Sequence, residues 1–168
     1  MAANPKIIVN EISNFEILRM SEKHLDVVMK NEAVSYNFPW TRGIFLDCLK
    51  AGYQCWIGCF GNDVIGHVIF SLIASEAHLL NLCISPGVQG QGFGRLLATF
   101  AVERAKAADV GAMFLEVRSS NIPAISLYES IGFSEVGMRK NYYPARIGYE
   151  DALVLALDIK RYGSFDRV

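Results

Sequence analysis

The stretch SPGVQGQGFGRLLATF, residues 85–100, decides how the fold of this chain is interpreted. It follows an apolar, strand-like run and leads into a helix-like run. Gly90, Gly92 and Gly94 stand between the two runs, and none of them carries a Cβ atom that would shield the backbone. Successive N–H groups in such a turn can point into one concavity, and the N-terminus of the following helix adds partial positive charge. The stretch therefore predicts a phosphate or pyrophosphate site, which the charge of Arg95 would complement.

Two common phosphate-binding motifs do not fit this stretch. A P-loop needs G-K-[ST] after its glycines, and that sequence is absent. The G-x-G-x-x-G spacing of dinucleotide-binding folds is also absent, and the preceding strands look like an antiparallel meander instead of the start of a βαβ unit. On local pattern alone, a flexible turn whose glycines serve only loop geometry remains an alternative.

Composition and charge are those of an ordinary globular protein. The 168 residues suit one domain, with 52% hydrophobic and 20% charged residues. The formal net charge of -1 gives no basic footprint for nucleic acid. The apolar runs are too short to span a bilayer, and the first residues lack the apolar core of a secretory signal. We therefore predict a cytoplasmic protein without nucleic-acid or membrane partners, and we favour a monomer.

Cysteine and histidine spacing argues against disulfides and metal sites. The residues concerned are Cys48, Cys55, Cys59, Cys83, His24, His67 and His78. The cysteines form no C-x-x-C pair, so we expect reduced and mostly buried thiols. The histidines lack helical i, i+4 pairing and are far from the thiols in sequence. The sequence therefore predicts that no metal is bound.

Hydrophobic periodicity predicts the element order βαα-βββ-αβ-αββ. Strands are predicted at 15–20, 53–60, 63–74, 77–85, 112–118, 133–144 and 149–159, and helices from Ser21, from Thr41, over 92–109 and from Asn121 to Gly132. The helix starts follow from capping residues, and Gly132 is a helix-ending residue. This order predicts one α/β domain at 15–160, with a mixed sheet, a loose leader at 1–14 and a tail at 161–168.

At the glycine stretch the chain resembles a known family. Residues 89–94, QGQGFG, match the Q/R-x-x-G-x-G/A motif of the GCN5-related N-acetyltransferases. The resemblance extends from about Phe15 to Ile159. It implies the fold of that family, a mixed and mostly antiparallel sheet flanked by about four helices, and it implies acetyl-CoA as co-substrate. The cofactor contacts that it implies are Leu82, Cys83, Ile84, Gln89, Gly90, Gln91, Gly92, Phe93, Gly94, Arg95 and Asn121.

Four further segments resemble a bacterial branch of the family that acetylates the N-terminal alanine of a small-subunit ribosomal protein. These are NFPWT (37–41), LEVRSSNIPAISLYESIGF (115–133), RKNYYP (139–144) and EDALVLAL (150–157). The resemblance implies the same reaction and a ribosomal protein as partner. Two features depart from the branch: the leader of about fourteen residues is extra, and Gly90 stands where a basic residue is frequent.

The resemblance also implies two catalytic side chains. Glu116 matches the family's general base, which takes the amine proton through water, and Tyr128 matches the general acid for the departing thiolate. From the residues alone, Glu116 could equally be a half-buried glutamate paired with Arg118. Tyr128 could be a core tyrosine. Asn121 could serve only as a helix N-cap.

The acceptor side is predicted from a group of aromatic residues. Phe38, Trp40, Tyr142 and Tyr143 would suit a rim around a peptide N-terminus, with negative charge nearby from Glu150 and Asp151. Core packing explains the aromatic residues equally well.

Three functional alternatives are left by the sequence. They are an N-terminal alanine acetyltransferase, an acetyltransferase for a small amine or a lysine side chain, and a non-catalytic acyl-CoA-binding module. We expect no acyl intermediate on Cys83, because no His-Asp partner set surrounds it in the sequence.

Overall fold

A computed structural model of the chain describes residues 14–163, and within them it shows seven strands and four α-helices. The strands are β1 (Phe15–Arg19), β2 (Gln54–Phe60), β3 (Asp63–Ile73), β4 (Glu76–Ile84), β5 (Ala112–Arg118), β6 (Ser134–Pro144) and β7 (Tyr149–Asp158). The helices are α1 (Leu25–Ser35), α2 (Arg42–Lys50), α3 (Phe93–Ala107) and α4 (Ile122–Ile131). Two short 3-10 helices lie at Glu22–His24 and Pro86–Val88.

The predicted order of elements is confirmed, with differences at element ends. The 3-10 turn at Pro86–Val88 was not predicted, and α3 begins at Phe93, one residue after the predicted start at 92. The predicted domain limits stay a prediction, since most of the leader (1–14) and of the tail (161–168) lies outside the described residues. Between residues 14 and 163, none of the helices combines the length and apolarity that a membrane crossing requires.

The seven strands form one mixed sheet in the order β1-β2-β3-β4-β5-β7-β6. β1 and β2, β5 and β7, and β6 and β7 pair antiparallel, whereas β4 and β5 pair parallel. A parallel pair needs a long crossover connection, and here the connection contains α3. The glycine stretch therefore lies where β4 ends and this crossover begins.

The chain divides into two compact units. Of the described residues, the first unit contains 14–69 and 81–97, and the second contains 70–80 and 98–163. In the first unit, α1, α2, β2 and β3 contribute a buried apolar cluster that includes Val28, Phe45 and Ile57. In the second, buried residues of α3, β5 and β7 include Val102, Met113 and Leu155.

Helix α4 has the ends that the sequence predicted. The Asn121 side chain accepts a hydrogen bond from the Ala124 N–H group at 3.3 Å, which satisfies a backbone donor of the first turn. At the other end, Gly132 has a φ of 116°, a left-handed conformation that favours glycine. The Thr41 side chain likewise accepts from the Ile44 N–H group at the start of α2.

Strand β6 contains an irregularity that the sequence did not reveal. Arg139 pairs with Ala152 and Tyr143 pairs with Glu150, so β6 advances four residues where β7 advances two. Asn141 lies within this bulge at a φ of 53°. Its N–H group donates to the Asp151 carboxylate at 2.8 Å, which holds the bulge against β7.

The close approach of β3 to β4 at Gly66 gives a stability prediction. A Cβ atom on Gly66 would lie 2.5 Å from the Cys83 carbonyl oxygen and 2.7 Å from Ile84 Cδ1. We expect Gly66→Ala to lower the free energy of unfolding by about 1–3 kcal/mol, because the β4 backbone must move. In the matched control Gly43→Ala, on α2, the nearest atom is 3.7 Å away. This variant should be neutral or stabilising by up to about 1 kcal/mol. Urea denaturation of both variants checks the pair, and equal stabilities would contradict the packing argument.

Candidate active site

The glycine stretch has the backbone geometry expected of an anion cradle. Gly90 and Gly92 have φ angles of 75° and 92°, and a Cβ atom on either would meet nothing within 4 Å. The Leu96 N–H group donates to the Gly92 carbonyl at 3.1 Å and so begins the helical bonding of α3. The N–H groups of residues 93–95 precede it at the helix N-terminus, where partial positive charge collects. These features fit the diphosphate of a nucleotide cofactor.

Some side chains of the same stretch are buried or hydrogen-bonded, whereas others are exposed. Phe93 is buried, with its ring 5.1 Å from that of Phe15, so its side chain belongs to the core and only its backbone faces the loop. Gln89 donates from Nε2 to the Ile84 carbonyl at 2.8 Å, which closes the loop onto β4. Gln91 Oε1 is buried without a hydrogen-bond partner among the described residues. Arg95 is exposed on the first turn of α3.

The β4 segment Leu82–Ile84 presents its backbone next to residues of α1. The Leu82 carbonyl accepts a short hydrogen bond from the Tyr36 hydroxyl. The Ile84 carbonyl accepts one from Ser35 Oγ at 3.4 Å in addition to that from Gln89. A carbonyl oxygen has two lone pairs, so the bonds from Ser35 and Gln89 together use the acceptor capacity of the Ile84 carbonyl. The segment is thus held firmly from the α1 side.

Cys83 is a buried thiol with no sign of activation. Burial raises its pKa to about 12, and Sγ lies 3.7 Å from the Asn31 carbonyl oxygen, to which it donates. A thiol with such a pKa stays protonated near neutral pH and is a poor nucleophile. The prediction of reduced, buried cysteines is confirmed, because all four are free and buried.

In the second unit, Glu116 on β5 is the centre of a cluster of polar contacts. Its Oε1 lies 2.5 Å from Arg139 Nε, and its Oε2 accepts from the Tyr142 hydroxyl at 2.8 Å. Its carbonyl oxygen accepts from the Tyr143 hydroxyl at 3.0 Å. Arg118, the partner that the sequence alternative gave to Glu116, pairs with Glu150 at 3.2 Å.

The two tyrosines reach Glu116 because of the bulge in β6. Successive residues of a regular strand point to opposite faces, so Tyr142 and Tyr143 would normally diverge. The bulge brings their rings to 4.9 Å, centre to centre, with an edge-to-face angle of 82°. The hydrogen bond to Glu116 raises the pKa of Tyr142. Burial raises the pKa of Tyr143 to about 12, and the negative charge of Glu116 acts in the same direction.

Tyr128 lies on α4 with its ring packed against Phe133 at 5.7 Å. It is buried, and burial raises the pKa of its phenol well above the ordinary value, with nearby Tyr143 acting the same way. The hydroxyl therefore keeps its proton at neutral pH and is available as a hydrogen-bond donor. Asn121 is seven residues earlier, where its side chain caps the helix.

The residues predicted for the acceptor rim are divided between the two units, and each is described within its own unit. Phe38 is 44% exposed between α1 and α2, and Tyr142 is 44% exposed on β6. Trp40 packs its ring at 5.5 Å from Phe45 and so contributes to the core of the first unit. The structure brings Tyr142 and Tyr143 together with Glu116, whereas Trp40 is held by packing.

Several residues around these sites were not found by sequence reasoning. Arg139 is the ion-pair partner of Glu116. Glu32, His67 and Asn81 form a buried polar group in the first unit. For Glu32, His67 and Asn81 the available signal was position, because each is a polar residue in a run that periodicity predicted to be apolar.

One set of side chains has the donor types of a metal site. Glu32, His67 and Cys83 present ligand atoms within 4.8 Å of one another, and all three are buried. Glu32 Oε1 already accepts two hydrogen bonds, Oε2 accepts none from the described residues, and the Cys83 thiol has a raised pKa. The absence of a bound metal stays a prediction from the sequence.

Comparison with known proteins places the chain in a family. Residues 19–133 match the model of the acetyltransferase (GNAT) family. Over 140 residues the chain is 34% identical to the ribosomal protein bS18-alanine N-acetyltransferase of Salmonella typhimurium, covering 83% of this chain and 95% of that protein.

Two solved structures share the fold. The ribosomal-protein-S18-alanine N-acetyltransferase from Escherichia coli superposes with a TM-score of 0.82 at 33% identity, covering 86% of this chain and 94% of that one. The yncA acetyltransferase from Salmonella typhimurium, solved with its cofactor acetyl-CoA, has a TM-score of 0.73 at 17% identity, covering 92% and 99%. The fold and the acetyltransferase class predicted from the sequence are confirmed: this chain belongs to the acetyltransferase (GNAT) family.

Proposed function

We propose that this chain transfers the acetyl group of acetyl-CoA to the N-terminal α-amino group of a protein that begins with alanine, with ribosomal protein bS18 as the acceptor. The observation that carries this proposal is the near full-length similarity to enzymes named for that reaction. A cytoplasmic location and action as a monomer belong to the same proposal.

The first unit supplies the residues that would hold the co-substrate. The left-handed glycines at 90 and 92 and the N–H groups at the start of α3 would bind its diphosphate. The backbone of Leu82–Ile84 would bind the pantetheine arm as an added strand, and one N–H group there would polarise the thioester carbonyl. The side chains of Phe93 and Gln89 act indirectly, because they pack and close the loop.

Glu116 is proposed as the general base for the acceptor amine. An α-amino group has an ordinary pKa of about 7.7–8.0, so a part of the acceptor is already neutral at pH 7 and the base has a modest task. Arg139 and Tyr142 occupy both carboxylate oxygens and fix their direction. Proton transfer to Glu116 therefore runs through a water that approaches beside one of these contacts.

Tyr128 is proposed as the general acid for the departing thiolate. Its burial favours the protonated phenol, which can donate a hydrogen bond to the sulfur as negative charge develops. The raised pKa makes complete proton transfer more uphill than an ordinary phenol would require. Hydrogen-bond donation is then the larger part of its contribution.

A lysine acceptor is disfavoured by the same chemistry. The lysine ammonium group has an ordinary pKa of about 10.4, so far less of it is neutral at pH 7 than of an α-amino group. A lysine acceptor would therefore demand more of the general base than an α-amino group does.

The reaction and its base can be tested together with two peptides. One carries a free N-terminal alanine and no lysine, and the other has a blocked N-terminus and one lysine. We expect turnover only with the first, located by mass spectrometry. Glu116→Gln should lower kcat/KM by about 10²–10⁴-fold. The exposed Glu135→Gln on β6 serves as the matched control and should leave it unchanged.

The outcomes separate the alternatives. If only the lysine peptide is acetylated, the acceptor is a lysine side chain and not an N-terminal α-amino group. Binding of acetyl-CoA without turnover on either peptide would support a non-catalytic module. Unchanged activity in Glu116→Gln would remove the assigned base, while a loss of kcat in Tyr128→Phe without a change in the peptide KM would support the assigned acid.

Direct attack by the amine predicts that the Cys83 thiol is dispensable. With a pKa of about 12, only about one thiol in 10⁴ is ionised at pH 8. We expect iodoacetamide to leave Cys83 of the native protein unmodified, and we expect Cys83→Ala to keep kcat within about threefold of wild type. Detection of acetyl-Cys83 by mass spectrometry after rapid quenching would overturn direct attack.

A further inference from the structure

Three polar side chains are buried in the first unit, and the proposed reaction uses none of them. Glu32 on α1 is 1% exposed, His67 on β3 is 0% exposed and Asn81 on β4 is 9% exposed. Burial of an unpaired carboxylate is costly, so a glutamate at such a position needs several compensating donors. The contacts of Glu32 therefore show what this charge holds in place.

The Glu32 carboxylate contacts three separate segments: two N–H donors reach Oε1, and His67 lies beside Oε2, which accepts no hydrogen bond from the described residues. Oε1 accepts from the Trp40 backbone N–H group at 3.0 Å and from Asn81 Nδ2 at 3.1 Å. Oε2 lies 3.3 Å from His67 Nε2, and that nitrogen also lies 3.2 Å from Asn81 Oδ1. One carboxylate thus links the α1–α2 connection to β3 and β4.

Glu32 bonds both ends of the connection that carries Phe38. Its backbone carbonyl accepts from the Tyr36 N–H group at 3.0 Å, where α1 ends. Its side chain accepts from Trp40, four residues further on. Phe38 lies at the middle of this five-residue span and is exposed, and Pro39 next to it has no N–H group to offer.

The same connection is tied to the β4 backbone. The Tyr36 hydroxyl donates to the Leu82 carbonyl, and Ser35 Oγ donates to the Ile84 carbonyl. Asn81, which bonds Glu32, immediately precedes Leu82. The position of Phe38 relative to Leu82–Ile84 is therefore set by bonds that converge on α1.

We infer that Glu32 is a positioning residue for the acceptor: its buried carboxylate holds the 36–40 connection so that Phe38 stands at a fixed place relative to the Leu82–Ile84 backbone. The inference rests on the proposed function, in which that backbone binds the acetyl donor, and on the sequence prediction that Phe38 contacts the acceptor. Glu32 thereby contributes to acceptor binding although it contacts neither substrate.

The first test separates the two substrates kinetically. In Glu32→Met the side chain keeps its length but accepts no hydrogen bond. We expect the KM for the alanine peptide to rise about tenfold or more, because bonds to a charged group are lost, and the KM for acetyl-CoA to change by less than about threefold. Glu32→Gln keeps one oxygen for Trp40 and Asn81 and should largely restore the peptide KM. The control is Asp47→Asn, which changes an exposed carboxylate on α2 and should have no effect.

A double-mutant cycle with Phe38→Ala tests whether Glu32 acts through the connection. If it does, Glu32→Met should raise the peptide KM much less in the Phe38→Ala background than in wild type. Additive effects of the two substitutions would overturn the inference. Equal increases in both KM values of Glu32→Met, together with a lowered Tm, would also overturn it, because they indicate a general role in stability.

A measurement on the wild-type chain covers the case in which Glu32→Met fails to fold. The Trp40 amide should exchange with solvent at least about 100-fold more slowly than an unstructured amide, because it donates to a buried carboxylate. Rapid exchange at Trp40 would overturn the inference.

Two other outcomes are distinguishable from these. If wild type acetylates neither peptide, the proposed function fails and the acceptor role of Glu32 falls with it, even where Trp40 is protected. If purified protein retains stoichiometric zinc that both Glu32→Gln and Cys83→Ala lose, the carboxylate is a metal ligand and the positioning role is overturned.

Discussion

The buried carboxylate of Glu32 is the interaction on which the first unit depends. Two donors reach its Oε1, one from the α1–α2 connection and one from β4, and His67 of β3 lies 3.3 Å from its Oε2. Removing water from a carboxylate is tolerable only when such donors replace the lost hydration, so each segment has one favourable position. The glycine stretch follows β4 directly, and its place in the unit therefore depends on the same strand.

In the second unit, the bulge in β6 determines which side chains contact Glu116. Two extra residues opposite β7 turn Tyr142 and Tyr143 toward Glu116, although they are neighbours in sequence. Asp151 stabilises the left-handed Asn141 within the bulge. Arg139 and Tyr142 consequently orient the Glu116 carboxylate without burying it completely, and Tyr143 bonds the backbone carbonyl of the same residue.

Backbone groups carry much of the proposed co-substrate binding. Gly90 and Gly92 leave open space where other residues would place a Cβ atom, and Cys83 directs its thiol into the core. Several side chains in the matching motif have structural tasks instead: Phe93 packs against Phe15, and Gln89 closes the loop onto Ile84. A motif residue can therefore be necessary for the site without touching a ligand.

The sequence by itself determined the order of elements, because hydrophobic period, capping residues and glycines act locally. Asn121 caps α4, Gly132 ends it and Thr41 begins α2, as their local chemistry predicts. The family followed from the residues around Gly92, and the candidate site residues were named from the same resemblance.

Only the tertiary structure decided which groups meet. The pairing of Glu116 with Arg139 depends on strand register, and the convergence of Tyr142 and Tyr143 depends on a bulge. Glu32 and Asn81, forty-nine residues apart, bond only because α1 packs on β4. Periodicity reports which face a residue occupies, but it carries no information about the partner across the core, and buried polar contacts are set by that partner.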